Sequence, residues 1–178
     1  MRILVTYWSQ TGNTKKVAEA IFDTLPEEKS MKTMEEVESL DGYDLVFIGF
    51  PVMQFGPPPP ARKFLAAHAA GRKIALFLTH AMPSDSDDLQ QQEMLVKELD
   101  RCRSFCSKSE ISGLFHCQGE LSEKSANELM ASNIPMLMEF AAMRPQTIGH
   151  PGQAELAEAR AFAGSVLDVN QQTALHNT

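Results

Sequence analysis

Aromatic residues and cysteines are scarce in this chain of 178 residues: 7% are aromatic, one is tryptophan, two are tyrosine and three are cysteine. Cys102, Cys106 and Cys117 are odd in number and lack the dense spacing of a secreted disulfide scaffold. Reduced thiols and a cytoplasmic setting are therefore expected. No apolar run approaches the roughly 20 residues that a bilayer-spanning helix needs, and Met1 to Tyr7 reads as a strand rather than a signal peptide. Positive charge is in deficit, with 16 Lys and Arg against 23 Asp and Glu and a net charge of −7. That removes the usual basis for attraction to a nucleic-acid backbone.

Several motifs are missing as well. Neither G-x-x-x-x-G-K-[ST] nor G-x-G-x-x-G occurs, so nucleotide hydrolysis of the Walker type and dinucleotide binding of the Rossmann type lack their signatures. No acidic pair follows the first strand, which disfavours a phosphorylated receiver. No His, Cys or carboxylate spacing marks a metal site.

What is present is a globular balance, 43% apolar and 22% charged, in a length that fits one domain. A single domain over residues 1–168 is expected, followed by a polar, frayed tail at 169–178. The excess charge is concentrated: Glu19 to Asp44 holds nine acidic and two basic residues, while the rest of the chain balances. A solvated face explains this, and so would steering of a basic partner.

Short apolar runs alternate with amphipathic stretches. Ile3 to Tyr7 is a strand, and Gly12 to Leu25, with Val17, Ile21 and Leu25 four apart, is a helix. A weak second strand is placed near Ser30 to Thr33. Asp44 to Gly49 reads as a strand buried on both faces. Pro57 to Pro60 can only open a helix, which continues from Ala61 to Ala69, and Lys73 to Thr79 returns as a fourth strand. Asp85, Asp87 and Asp88 form an acidic first turn before Leu95, Leu99, Cys102 and Cys106, the stripe of a helix of about four turns. Both of those cysteines are expected on one buried face. Ile111 to Cys117 makes a fifth strand, and Leu156, Ala159, Ala163 and Val166 mark a closing helix. The expected fold is α/β, a three-layer, doubly wound, five-stranded parallel sheet. Residues 118–150 break the rhythm as a helical or irregular insertion rich in methionine, which suits adaptable packing, a lid or a docking surface.

Such sheets bind ligands beyond the carboxyl ends of their strands. After the first strand, Ser9-Gln10-Thr11-Gly12-Asn13-Thr14 is dense in hydroxyl groups and opens directly into a helix. Hydroxyls of Ser9, Thr11 and Thr14 with the loop amides could satisfy a phosphate monoester without a central Lys or Arg. A plain polar helix cap is the alternative.

The run Tyr7-Trp8-Ser9-Gln10-Thr11-Gly12-Asn13-Thr14-Lys15-Lys16-Val17-Ala18 resembles the phosphate-binding signature of the flavodoxins, [ST]-x-T-G-x-T after an apolar strand. The resemblance covers Met1 to Cys117 and the last helix. It implies a five-stranded parallel sheet carrying FMN, with Ser9, Thr11, Gly12, Asn13 and Thr14 on the flavin phosphate and Gln10 contributing its backbone. It also implies ring contacts from Pro51, Val52, Met53, Gln54, Phe55 and Gly56 and from Thr79, His80, Ala81 and Met82. Met53 or Phe55 would lie against the ring, with amides of Gln54, Gly56 and His80 at its polar edge. Gly56 could turn a carbonyl towards the flavin N5, or be a turn glycine. His80 could donate a proton, touch the ring, or be a polar boundary residue. Many flavodoxins flank the ring with a Trp and a Tyr; here those residue types occur only at Tyr7, Trp8 and Tyr43.

The function implied is an FMN-binding electron carrier working between a reductase and an acceptor, with no membrane span and a homodimer admissible. An NAD(P)H-dependent FMN reductase of a quinone or other small substrate is the alternative, the insertion building its pocket. A flavin- or phosphate-binding docking module without turnover is the third reading.

Overall fold

The computed structural model describes residues 1–83 and 87–176. Five strands, β1 (Ile3–Tyr7), β2 (Lys29–Thr33), β3 (Leu45–Pro51), β4 (Lys73–His80) and β5 (Glu110–Gln118), form one parallel sheet in the order β2-β1-β3-β4-β5. Six helices accompany them: α1 (Asn13–Thr24), α2 (Pro59–His68), α3 (Leu89–Ser104), α4 (Glu123–Ala131), α5 (Pro135–Ala142) and α6 (Gln153–His176).

Alternation along the strands divides the core in two. Ile3, Val5, Leu45, Phe47, Ala75 and Phe77 face α1 and α6, where Val17, Ile21, Ala159, Ala163 and Val166 meet them. Leu4, Val46, Ile48, Phe50, Ile74, Leu76 and Leu78 face α2 and α3, meeting Phe64, Leu65, Leu99 and Cys102. The fully apolar β3 is therefore buried on both faces, as its sequence requires. At Gly49 the absence of a side chain is obligatory, because a Cβ there would stand 1.9 Å from the Phe77 ring of β4.

Helix starts follow their local chemistry. The prolines open α2 at its first positions. Asp88 caps α3, its carboxylate accepting from the Gln90 and Gln91 amides. Asp85, expected in that acidic turn, lies outside the described residues. Cys106 falls in the turn after α3 rather than on the helix, yet it is buried with Cys102 in the α2 and α3 layer.

One sequence expectation changes. The closing helix does not stop at 168 but runs to His176, and the buried Asn170 is part of it, its amide donating to the Val166 carbonyl at 2.7 Å. The remaining tail residues, Asn177 and Thr178, lie outside the described residues. The insertion, expected as helical or irregular, is a helical pair, α4 packed on α5, with Met130, Ile134 and Met136 exposed.

Candidate functional site

The strand order reverses between β1 and β3, where consecutive connections leave in opposite directions and open a crevice beyond the carboxyl ends of the strands. The Trp8 amide donates to the Gly49 carbonyl at 2.9 Å, so the loop after β1 starts beside the end of β3.

That loop is shaped to present donors. Ser9 Oγ accepts from the Gly12 amide at 3.0 Å, and Gly12 sits in the left-handed region at φ 95° with open space where a Cβ would project. Gly12 is also the N-cap of α1, so no side chain caps this helix, and its first turn carries no acidic residue. The amides of the first turn thus point outward without the usual acceptor. Gln10 and Thr11 are exposed beside them.

The other loop residues have partners. Thr14 is buried, its hydroxyl 2.9 Å from the hydroxyl of Thr79 on β4. Asn13 Nδ2 donates to the Glu120 carbonyl at 2.9 Å, tying the helix start to the insertion. The Gly119 amide in turn donates to the His80 carbonyl at 2.7 Å. The insertion therefore borders the loop directly.

After β3, Met53-Gln54-Phe55-Gly56 closes a two-residue turn. The Met53 amide donates to the Gly56 carbonyl at 2.8 Å, and the Gly56 amide to the Met53 carbonyl at 3.1 Å. Gln54 and Phe55 both take left-handed conformations, at φ 49° and 65°. A primed turn of this kind ordinarily recruits Asn and Gly, so two bulky residues here represent stored strain. Phe55 is 42% exposed at the tip. Of the two readings of Gly56, the turn glycine is the one seen here: its amide and carbonyl are both engaged with Met53, and it does not adopt a positive φ. The conformationally unusual residues are the two before it. Val52 is held by its amide bond to the Thr79 carbonyl at 2.8 Å.

Beside this turn lies a cavity of 180 Å³ walled by the turn and by Arg62, Arg101 and Phe105. Neither guanidinium has a carboxylate partner among the described residues. Trp8 and Tyr43 pack instead against the α2 and α3 layer.

His80 is read in the sequence as a ring contact, a proton donor or a polar boundary residue. Its imidazole is buried and doubly bonded, Nδ1 lying 2.9 Å from the Met82 carbonyl and Nε2 3.0 Å from His116 Nδ1 on β5. Burial, followed by the neighbouring His116, pushes its pKa down to about 3. His116, also lowered by burial, was missed in the sequence, for nothing local to it signals a partner 36 residues away. The three thiols are buried, which pushes Cys102 and Cys117 up to about 12 and Cys106 to about 11.

The residues fit the phosphate end of a flavin mononucleotide: a glycine-capped helix start, an exposed Thr11 and a Ser9 hydroxyl that still has its proton to give. Among the described residues no cluster of metal ligands occurs, and no helix is long and apolar enough to cross a membrane.

Comparisons with known proteins bear on the family and the fold. A family model described as a flavodoxin domain matches residues 4–164. The flavodoxin-like domain-containing protein BilS of Clostridioides difficile is 30% identical, over 94% of this chain and 97% of that one. Among solved structures, the flavodoxin, WrbA-like protein from Agrobacterium tumefaciens superposes with a TM-score of 0.60 at 16% identity, covering 96% of this chain and 98% of that one. Oxidised Flavodoxin 2 from Bacillus cereus does so at 0.56 and 16% identity, with 94% and 99% covered.

Proposed function

Because the chain belongs to the flavodoxin family, with the flavin cofactor and redox role which that implies, we propose that it binds FMN and carries electrons between a reductase and an acceptor protein. The single observation that carries this reading is the uncapped start of α1 at the β1/β3 crevice, where open amides and hydroxyls await an anion.

In this reading Ser9, Thr11, Gly12 and Thr14 hold the phosphate, with the Gln10 backbone, while Asn13 fixes the helix start against Glu120. Pro51, Val52, Met53, Gln54, Phe55 and Gly56 line one side of the ring, and Thr79, His80, Ala81 and Met82 the other, His80 through its backbone. When bound, FMN supplies one- and two-electron chemistry. The chain's own contribution is to orient the ring, to exclude water with the apolar Met53, Phe55 and Met82, and to tune charge near it. A redox partner would meet the exposed Phe55 and Phe105 beside Arg62 and Arg101, residue types enriched at protein interfaces.

An NAD(P)H-dependent reductase of a small substrate is favoured by one feature only. The α4 and α5 pair exposes Met130, Ile134 and Met136 on the insertion that borders the loop, as a pocket wall would. Titration of apoprotein with FMN, with riboflavin as the phosphate-free control, followed by anaerobic NADPH or NADH, separates the two. Tight FMN, weak riboflavin and no bleaching support the carrier. Direct bleaching supports the reductase, and binding of neither flavin overturns both.

A further inference from the structure

His80 closes β4 and His116 faces it from β5, the edge strand. A backbone carbonyl only accepts, so the 2.9 Å contact between His80 Nδ1 and the Met82 carbonyl requires a proton on Nδ1. The imidazole is 4% exposed and neutral, so its Nε2 is a bare acceptor. The 3.0 Å contact with His116 Nδ1 then needs the proton of His116 on that nitrogen. The polarity of the whole chain, His116 to His80 to Met82, is thus set by one carbonyl.

The chain ends in a groove of 280 Å³ between α3 and β5, lined by Val96, Leu99, Asp100, Arg103, Leu114 and His116. Asp100 and Arg103 face His116 from α3, Glu158 acts on it from α6, and His80 from β4. Nε2 of neutral His116 is left as an acceptor without a protein partner among the described residues. His116 can accept a proton there and still donate from Nδ1, whereas a proton on His80 would set N–H against N–H. The couple therefore takes its first proton on the groove side, with the bond to Met82 undisturbed.

We infer that His116 is a positioning residue: by donating to His80 Nε2 it pairs the acceptor that the Met82 contact leaves buried, locks the imidazole on the Met82 carbonyl, and so fixes the loop after β4 assigned above to the flavin ring. Only the last clause rests on the proposed function; the lock itself is a property of the protein without any cofactor.

The test has two arms. In apoprotein, nitrogen-15 NMR of the imidazoles reports the tautomers directly. Both histidines are expected as the Nδ1–H form, the minority form of free neutral imidazole. A His80 proton on Nε2 would overturn the inference, and this arm needs no variant. The second arm compares His116→Asn, whose amide can donate from the place of Nδ1, with His116→Leu, which cannot. His116→Asn should keep the His80 tautomer and the order of the Ala81 and Met82 amides in relaxation measurements. His116→Leu strands His80 Nε2 as a buried acceptor without a partner, so it should lose the order of that loop and weaken FMN by about threefold to tenfold, the worth of one hydrogen bond. Identical loops in the two variants would also overturn it. If FMN binds neither variant nor the parent protein while the tautomers and loop respond as expected, the flavin reading fails and the lock stands.

Discussion

Thr14, in the first turn of α1, and Thr79, next to the end of β4, place their hydroxyls 2.9 Å apart, with both side chains buried. Two hydroxyls carry two protons and the contact uses one. The pair therefore joins helix to sheet and keeps one O–H to give to a neighbouring anion.

Thr14→Val leaves the Thr79 hydroxyl buried and alone, which should cost about 1–3 kcal/mol of stability. Adding Thr79→Val removes the orphan and should recover part of that loss, as urea unfolding of the double-mutant cycle will show. Both variants should weaken FMN more than riboflavin. Equal effects on the two flavins would mean that Thr14 does not serve the phosphate.

Gly12→Asp places a carboxylate at an uncapped helix start whose backbone is left-handed, a conformation that Asp tolerates better than most residues. Any side chain at φ 95° strains this backbone, so the urea midpoint should fall. The carboxylate occupies the donors and repels phosphate, so FMN affinity should fall by at least about tenfold, the equivalent of about 1.4 kcal/mol.

Gln54→Asn with Phe55→Gly gives the turn the residue types its dihedral angles favour. Apoprotein should gain about 1–2 kcal/mol in thermal or urea unfolding as the strain is relieved. FMN should bind more weakly for want of the exposed ring of Phe55. A gain in stability with unchanged FMN affinity would place the flavin away from this turn.

Acid should destabilise the fold through His80. The unfolded chain takes up a proton near the ordinary value of 6.5, and the folded protein does not until about 3. The contribution is complete above pH 6.5 and is lost as the pH falls towards 3. Between pH 7 and pH 5 it amounts to about 2 kcal/mol. Urea midpoints should follow that slope, and His80→Gln should flatten it. His116, lowered in the same direction, adds to the effect.

Cys102, Cys106 and Cys117 have no accessible thiolate, because burial holds all three thiols well above neutral pH. A thiol-reactive dye should label none of them in the native protein and all three in denaturant. Rapid native labelling would contradict their place in the core.

Where information was local, the chain was readable from its residues alone. The β1 strand, the hydroxyl-rich loop and α1 follow from an apolar run, a glycine and a four-residue stripe, all within Ile3 to Thr24. Three features were not readable, each for its own reason. The turn at Gln54 and Phe55 lacks the usual glycine and asparagine, since closure of Met53 on Gly56 imposes its dihedral angles. The pairing of His80 with His116 depends on the parallel register of β4 and β5, where a bulge falls between Ile74 and Ala75. The end of α6 looked like a polar tail because Asn170 is apolar neither in type nor in spacing, yet it is buried.

The contact of Phe77 with Gly49 bears on how the sheet selects its alignment during folding. In a sheet whose central strands are apolar on both faces, a slip by two residues keeps every side chain on its own face, and hydrophobicity alone would not penalise it. Here such a slip would bring Phe77 opposite Phe47 or Pro51 instead of Gly49, and neither has room for the ring. One missing side chain thus acts as a keyhole that admits a single alignment of β3 with β4, and with it the correct height of the two loops that leave their ends.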